Sequence, residues 1–144
     1  MESKILELAR KLINIPSISK NPVALKEVLK ISALELKDYT IEWFVKDEIP
    51  SLLAYASPSR PKRFKIILNA HLDVIPAKPS QFSPKIKDGK LYGRGAYDMK
   101  AAAAVEILVF KELAKKLDFP LGLQLVTDEE IGGFKGTKYQ KKKE

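Results

Sequence analysis

The stretch LVTDEEIGG, residues 125–133, places three consecutive acids directly after an apolar segment. The segment LGLQLVT, residues 121–127, has the length and the apolar content of a buried β-strand. Carboxylates repel one another and resist burial, so three of them at a strand end require an explanation. An exposed loop would hydrate them, and the start of a helix would favour one or two of them. A third explanation is that these carboxylates bind a cation.

A second apolar strand and a long helix precede this stretch. FKIILNA, residues 64–70, is nearly continuous in apolar residues, which predicts a central strand covered on both faces. Residues 98–117 predict a long helix, whose four successive alanines allow close packing against a sheet. A strand, a helix and a strand in this order predict a parallel pair with a right-handed crossover. The expected fold is therefore α/β, with helices layered on a mostly parallel sheet.

The first 60 residues predict two helices and two strands. Apolar residues at helical spacing before Pro16 predict the first helix, and Asn21-Pro22 has the N-cap and first-turn residues of the second. Alternation over residues 39–46 and the apolar segment SLLAYA predict strands. We find no internal repeat and no linker, so residues 1–144 are treated as one unit.

Composition excludes several classes of protein. Apolar residues make up 45% of the chain and charged residues 31%, a balance typical of a folded globular protein. The chain has no cysteine, so a thiolate metal site is excluded. No apolar run reaches the roughly 20 residues that span a bilayer, and the acid-containing N-terminus is unlike a signal peptide. We therefore expect a cytoplasmic protein without a membrane partner.

The net charge of +8 raises nucleic-acid binding as an alternative function. A basic protein can bind nucleic acid, and such binding would weaken steeply with salt. However, the lysines are scattered or gathered in the tail KYQKKKE, and they are not interleaved with aromatic residues. A solvated basic surface explains the charge more simply, so no nucleic-acid partner is expected.

Polar residues follow both apolar strands and open the helix between them. His71 and Asp73 come after the first strand, Glu129 and Glu130 after the second, and Asp98 begins the helix. In open α/β sheets the functional crevice lies beyond the carboxyl ends of the strands, so all five are expected at one edge.

Each of these residues also has a simpler explanation when it is considered alone. A lone histidine at a strand end is usually packed or hydrogen-bonded, and Asp98 could be a helix N-cap. Glu129 and Glu130 could favour the positive end of a following helix. Asp128 has no Glu or Gln three residues later, so no capping box explains it, and we assign it no functional role.

The combination favours a metal site. Several carboxylates in one crevice would raise one another's pKa, and a divalent cation removes that cost. Imidazole and carboxylate groups are suitable zinc ligands. In the H-x-D pattern, Asp73 can orient the imidazole of His71. Adjacent glutamates diverge, so one can hold the metal while the other reaches water.

Three ordered motifs carry a family resemblance. HLDVIPA, FSPKIKDGKLYGRGAYDMK and VTDEEIGG resemble the successive signatures of the dinuclear zinc family of aminoacylases, acetylornithine deacetylases, succinyl-diaminopimelate desuccinylases and glutamate carboxypeptidases. INIPSIS resembles that family's opening helix and turn, and the resemblance extends over residues 8–136. It implies a three-layer α/β/α zinc-peptidase-like catalytic domain that hydrolyses an amide bond in N-acyl amino acids or short peptides.

The resemblance also implies a role for each residue. Asp98 resembles the aspartate that bridges two zinc ions, and its peptide bond to Met99 is expected to be cis. His71 resembles a ligand of one zinc ion and Glu130 a ligand of the other. Asp73 resembles the aspartate that orients the histidine, and Glu129 resembles the general base. Cobalt or manganese are expected substitutes for zinc.

Part of the family pattern is missing from residues 1–144. The family supplies a further acidic ligand, a last histidine and a lid domain that often dimerises, and none of these is found. We therefore expect a truncated, N-terminal portion of the catalytic domain, with little activity alone and a homodimer only in a full-length protein. The alternative is a non-catalytic metal-binding or interaction fragment that needs a complementary chain.

Overall fold

A computed structural model describes residues 2–143. Its helices and strands, in chain order, are α1 (Glu2–Ile13), α2 (Pro22–Glu35), β1 (Thr40–Lys46), β2 (Ile49–Tyr55), β3 (Ile66–His71), β4 (Lys85–Lys87), β5 (Lys90–Tyr92), α3 (Ala101–Leu113), β6 (Leu121–Val126) and α4 (Thr137–Lys141). The predicted N-cap of the second helix is confirmed, because the Asn21 side chain accepts a hydrogen bond from the backbone N–H of Ala24.

The main sheet has four strands in the order β1-β2-β6-β3. β3 and β6 are parallel, and α3 lies between them in the chain, so the predicted parallel pair with a helical connection is confirmed. The prediction of a mostly parallel sheet is wrong, because β1 pairs with β2 and β2 pairs with β6 in antiparallel fashion. Only Asp47 and Glu48 connect β1 to β2, and so short a turn can join only antiparallel neighbours. The result is an α/β fold with a mixed sheet.

β3 lies at the edge of this sheet and pairs only with β6 in the described residues. Ile66 and Ile67 are 45% and 36% exposed, so the prediction of a central strand covered on both faces is wrong. An apolar run shows that a strand can be buried, but it does not show where the strand lies in the sheet. The central strands are instead β2 and β6, which are buried along their whole length.

Helices α1, α2 and α3 pack together on one face of the sheet. Their apolar side chains form a single core with alternate residues of the strands, among them Leu52, Ala70 and Leu123. The short helix α4 lies on the opposite face, where the side chain of Gln140 accepts a hydrogen bond from that of Gln124. The predicted layers are therefore present, with a thin second helical layer. Within residues 2–143, no helix is both long and apolar enough to cross a bilayer.

The parallel pair positions the candidate site. His71 ends β3 opposite Val126, which ends β6, so both strands finish at the same level of the sheet. The segments that follow them therefore emerge side by side, as the sequence predicted.

Candidate metal centre

His71 is held in one orientation at the end of β3. Its side chain is only 6% exposed, and Nδ1 lies 3.0 Å from the backbone carbonyl oxygen of Asp73. A carbonyl oxygen can only accept, so Nδ1 carries a proton and donates. Nε2 therefore faces the acidic residues, and it lies 3.0 Å from Oδ1 of Asp98. This arrangement fixes the ring nitrogen that is directed toward the candidate site.

The metal-free imidazole holds its proton tightly. Burial by itself lowers the pKa of His71, but hydrogen bonds to Asp73 and Asp98 outweigh it and raise the pKa to about 9. Both ring nitrogens therefore donate at neutral pH. An ion that binds at Nε2 must displace one proton.

Glu129 and Glu130 bring two carboxylates to the same point. They lie in a short 3₁₀ turn, Glu129–Ile131, directly beyond β6. One ligand atom from each of His71, Glu129 and Glu130 can be chosen so that all three lie within 4.8 Å of one another. Oε2 of Glu129 is 3.8 Å from Nε2 of His71. The roles of Glu130 as a metal ligand and of Glu129 as the general base stay predictions.

The predicted repulsion between carboxylates has a clear effect on one of them. Burial raises the pKa of Glu130, and the negative charges of Asp98, Asp73 and Glu129 add to the increase. His71 opposes it. A second positive charge in this crevice would therefore be stabilising.

Asp73 connects the two strand ends. Its carboxylate is completely buried, with Oδ1 accepting a hydrogen bond from the backbone N–H of Glu129 at 3.2 Å and Oδ2 one from that of Glu130 at 2.9 Å. Oδ1 also lies 3.4 Å from Nδ1 of His71. Asp73 thus contacts the imidazole, as predicted, and it also holds the backbone that carries both glutamates.

Asp98 lies in a turn and does not start a helix. α3 begins at Ala101, whereas Asp98 and Met99 have non-helical backbone angles in the turn Ala96–Lys100. The N-cap interpretation of Asp98 is therefore wrong. The Asp98–Met99 peptide bond is cis, as the resemblance implied. The Asp98 side chain is 67% exposed and contacts His71, so the structure brings it to the predicted site.

Two buried charged residues near the site were not found by sequence reasoning. Lys100 is fully buried, and Asp128 is 1% exposed. Oδ2 of Asp128 accepts hydrogen bonds from the backbone N–H groups of Lys135 and Gly136 at 2.7 and 3.0 Å. Asp128 therefore shapes the loop that follows the glutamates. Lys100 could have been found, because it lies at helical spacing from the buried Ala103, Ala104 and Ile107 of α3.

The donor set fits a zinc ion. Ligand atoms of a tetrahedral zinc ion lie roughly 3.4 Å apart when each bond is about 2.1 Å long. The distances from Nε2 of His71 to Asp98 and to Glu129, 3.0 and 3.8 Å, fall on either side of this value. Imidazole nitrogen and carboxylate oxygen are also the ligand types that zinc accepts.

Comparison with known proteins identifies the family. The model of peptidase family M20/M25/M40 matches residues 67–142, just over half of the chain, and these residues include all five predicted site residues. The chain belongs to this family, and the predicted resemblance is confirmed.

The relatives show how much of a longer protein the chain represents. It is 35% identical to succinyl-diaminopimelate desuccinylase of Buchnera aphidicola subsp. Cinara cedri, covering 94% of this chain and 37% of the relative. It is 34% identical to a probable carboxypeptidase of Arthroderma otae, covering 91% of this chain and 32% of the relative. The chain thus spans about a third of the length of these relatives.

Solved structures support the fold. The M20 family metallo-carboxypeptidase Sso-CP2 from Sulfolobus solfataricus superposes with a TM-score of 0.74 at 24% identity, covering 96% of this chain and 34% of that one. Human carnosine dipeptidase 1 gives a TM-score of 0.72 at 24% identity, covering 91% and 33%. The α/β fold with a mixed sheet is therefore shared with these enzymes.

Proposed function

We propose that this chain forms the N-terminal part of a zinc-dependent amidohydrolase site that acts on N-acyl amino acids or short peptides. The convergence of His71, Asp98, Glu129 and Glu130 at one edge of the sheet, in a chain of family M20/M25/M40, carries this proposal. The names of its relatives and structural neighbours support hydrolysis of an amide bond, since they include a desuccinylase, a carboxypeptidase and a dipeptidase. A deacetylase, desuccinylase or dipeptidase type of reaction is proposed on this basis.

Each residue has a role that its environment supports. His71, Asp98 and Glu130 would hold zinc, which supplies Lewis-acid chemistry at a carbonyl when it is bound. Asp73 orients the imidazole through its buried contacts. Glu129 has a side chain that is 60% exposed beside the imidazole, so it can accept a proton from water and later return it to the leaving amine.

The number of donors limits what the chain does alone. Within residues 2–143, the potential ligand atoms that converge belong to one cluster of His71, Glu129 and Glu130, which Asp98 adjoins. A zinc ion takes about four ligands, so these residues are too few for two ions. We therefore propose that the chain by itself binds one zinc ion and turns over substrate weakly or not at all.

Metal binding and turnover test the proposal separately. Equilibrium dialysis is expected to give one zinc ion per chain, and His71→Ala, which removes the only imidazole, is expected to give none. Hydrolysis of N-acetyl and N-succinyl amino acids by the zinc-loaded chain is expected to remain near background. A parent chain that fails to bind zinc would contradict the function. A turnover number of about 1–1,000 per second, the ordinary enzymatic range, would contradict the predicted weak activity.

One observation favours the alternative of a fragment that needs a complementary chain. Among residues 2–143, β3 is paired on one side only, and its exposed Ile66 and Ile67 make an edge that is suited to association. Restored activity on mixing with the downstream part of a relative would fit both hypotheses. Hydrolysis by the chain alone would favour the catalytic one.

A further inference from the structure

Lys100 is a fully buried lysine next to the candidate metal centre. Its side chain is among the largest completely buried side chains in the described residues, although lysine is almost never fully buried without a partner. Its Nζ donates hydrogen bonds to the backbone carbonyl oxygens of Leu12 at 2.8 Å and Ile15 at 2.7 Å. The Leu12 carbonyl lies in the last turn of α1, where the helix dipole favours a positive charge, and Ile15 follows the helix by two residues.

The other end of Lys100 closes the turn that carries Asp98. Its backbone N–H donates to the carbonyl oxygen of Gly95 at 2.7 Å. Its aliphatic stem packs on Gly95 so closely that an added Cβ there would lie 3.1 Å from Cδ. The turn is therefore closed by its own backbone and fixed to α1 by the ammonium group. Asp98 lies within this turn, between Gly95 and Lys100.

From these contacts we infer that Lys100 is a positioning residue for Asp98. By tying the turn to α1, it holds Oδ1 of Asp98 at 3.0 Å from Nε2 of His71, close enough for one ion to be shared by the two side chains. This inference rests on the proposed metal site. It goes beyond that proposal because it assigns a function to a residue that contacts neither metal nor substrate.

A purely structural role would give a different result on mutation. Lys100→Met keeps the length and the apolar stem but removes the ammonium group, whereas Lys100→Gln keeps a hydrogen-bond donor without the charge. Lys111→Met is the matched control, because Lys111 lies in the same helix α3 and pairs with Glu35 away from the site. All variants are compared at a temperature where the parent chain is fully folded.

Two readouts decide the question. The first is the zinc Kd, measured by competition with a chromophoric chelator. The second is the ¹⁵N chemical shift of Nε2 of His71 in the metal-free chain. A folded Lys100→Met variant is expected to bind zinc at least about ten-fold more weakly and to shift the Nε2 resonance, with Lys111→Met unchanged in both. Lys100→Gln is expected to lie between the parent and Lys100→Met.

Three results would overturn the inference. The first is a folded Lys100→Met or Lys100→Gln chain with the Nε2 resonance of the parent. The second is a folded Lys100→Met chain with the zinc affinity of the parent. The third is the absence of a cooperative melt in both Lys100 variants, which would make Lys100 a residue of stability alone. If the parent chain itself binds no zinc, the proposed function fails, but the Nε2 resonance still tests the positioning of Asp98.

Discussion

Two groups of charged side chains meet at this edge of the sheet, and they differ in how they are held. Asp73, Lys100 and Asp128 are at most 1% exposed, and each makes at least two hydrogen bonds to backbone groups. The side chains of Asp98 and Glu129 are 67% and 60% exposed. The buried charges hold the turns, and the exposed charges remain available to an ion. The buried charged residues thus fix the backbone, and the backbone in turn positions the exposed side chains of the candidate site.

The largest effect is expected when a buried anchor is removed. Asp73→Ala leaves the partly buried N–H groups of Glu129 and Glu130 without their acceptor. We expect the free energy of unfolding to fall by about 3 kcal/mol, since each hydrogen bond to a charged group contributes about 1.5 kcal/mol or more. Urea unfolding followed by the fluorescence of Trp43, the only tryptophan, measures the change.

Asp73→Asn is the control for this prediction. It keeps one acceptor oxygen for the two amides, so about half of the loss is expected. If Asp73→Ala were as stable as the parent chain, Asp73 would not anchor the turn.

A smaller loss of folding stability is expected for Gly136→Ala, because Gly136 lies against Asp128, another of the buried anchors. A Cβ at Gly136 would lie 2.2 Å from Oδ1 of Asp128, so Gly136→Ala forces the buried carboxylate to move. Overpacking of this kind costs about 2 kcal/mol. Gly89→Ala is the control without a steric clash, because no atom lies within 4 Å of the added Cβ there and only the positive φ of 70° disfavours alanine. Equal losses in the two variants would show that Asp128 is not held firmly.

The smallest effect is expected for Glu129, the exposed residue that is proposed as the general base. Glu129→Gln keeps the backbone N–H that Asp73 accepts and changes only an exposed carboxylate. Its free energy of unfolding should stay within about 0.5 kcal/mol of the parent value in the absence of metal. A loss larger than 1.5 kcal/mol on the same urea curve would remove the distinction between buried anchors and exposed site residues.

The sequence predicted the elements better than their arrangement. The strands around residues 39–56, 64–71 and 121–127 and the crossover helix follow from local periodicity and length, and they are present. The pairing order depends on contacts between distant segments, so the antiparallel pairs and the edge position of β3 could not be derived locally.

The predicted site residues lie close together, for a physical reason. Strand ends bring their following residues together in any α/β sheet, so His71, Asp73, Glu129 and Glu130 could be placed from their positions alone. Asp98 was expected to open a helix, but the turn before α3 depends on the distant contact of Lys100 with α1. Asp128 was given no role because its partners, Lys135 and Gly136, are backbone groups in a loop. The metal count, substrate and homodimer stay predictions.

The central claim is that this edge of the sheet is a metal site, and thermal unfolding with and without zinc tests it most directly. A ligand that binds only the folded state raises the Tm, by roughly 5–10 °C here when free zinc is about 100 times the Kd. We predict this rise for the parent chain and none for His71→Ala. An unchanged Tm in the parent, or an equal rise in His71→Ala, would contradict the claim.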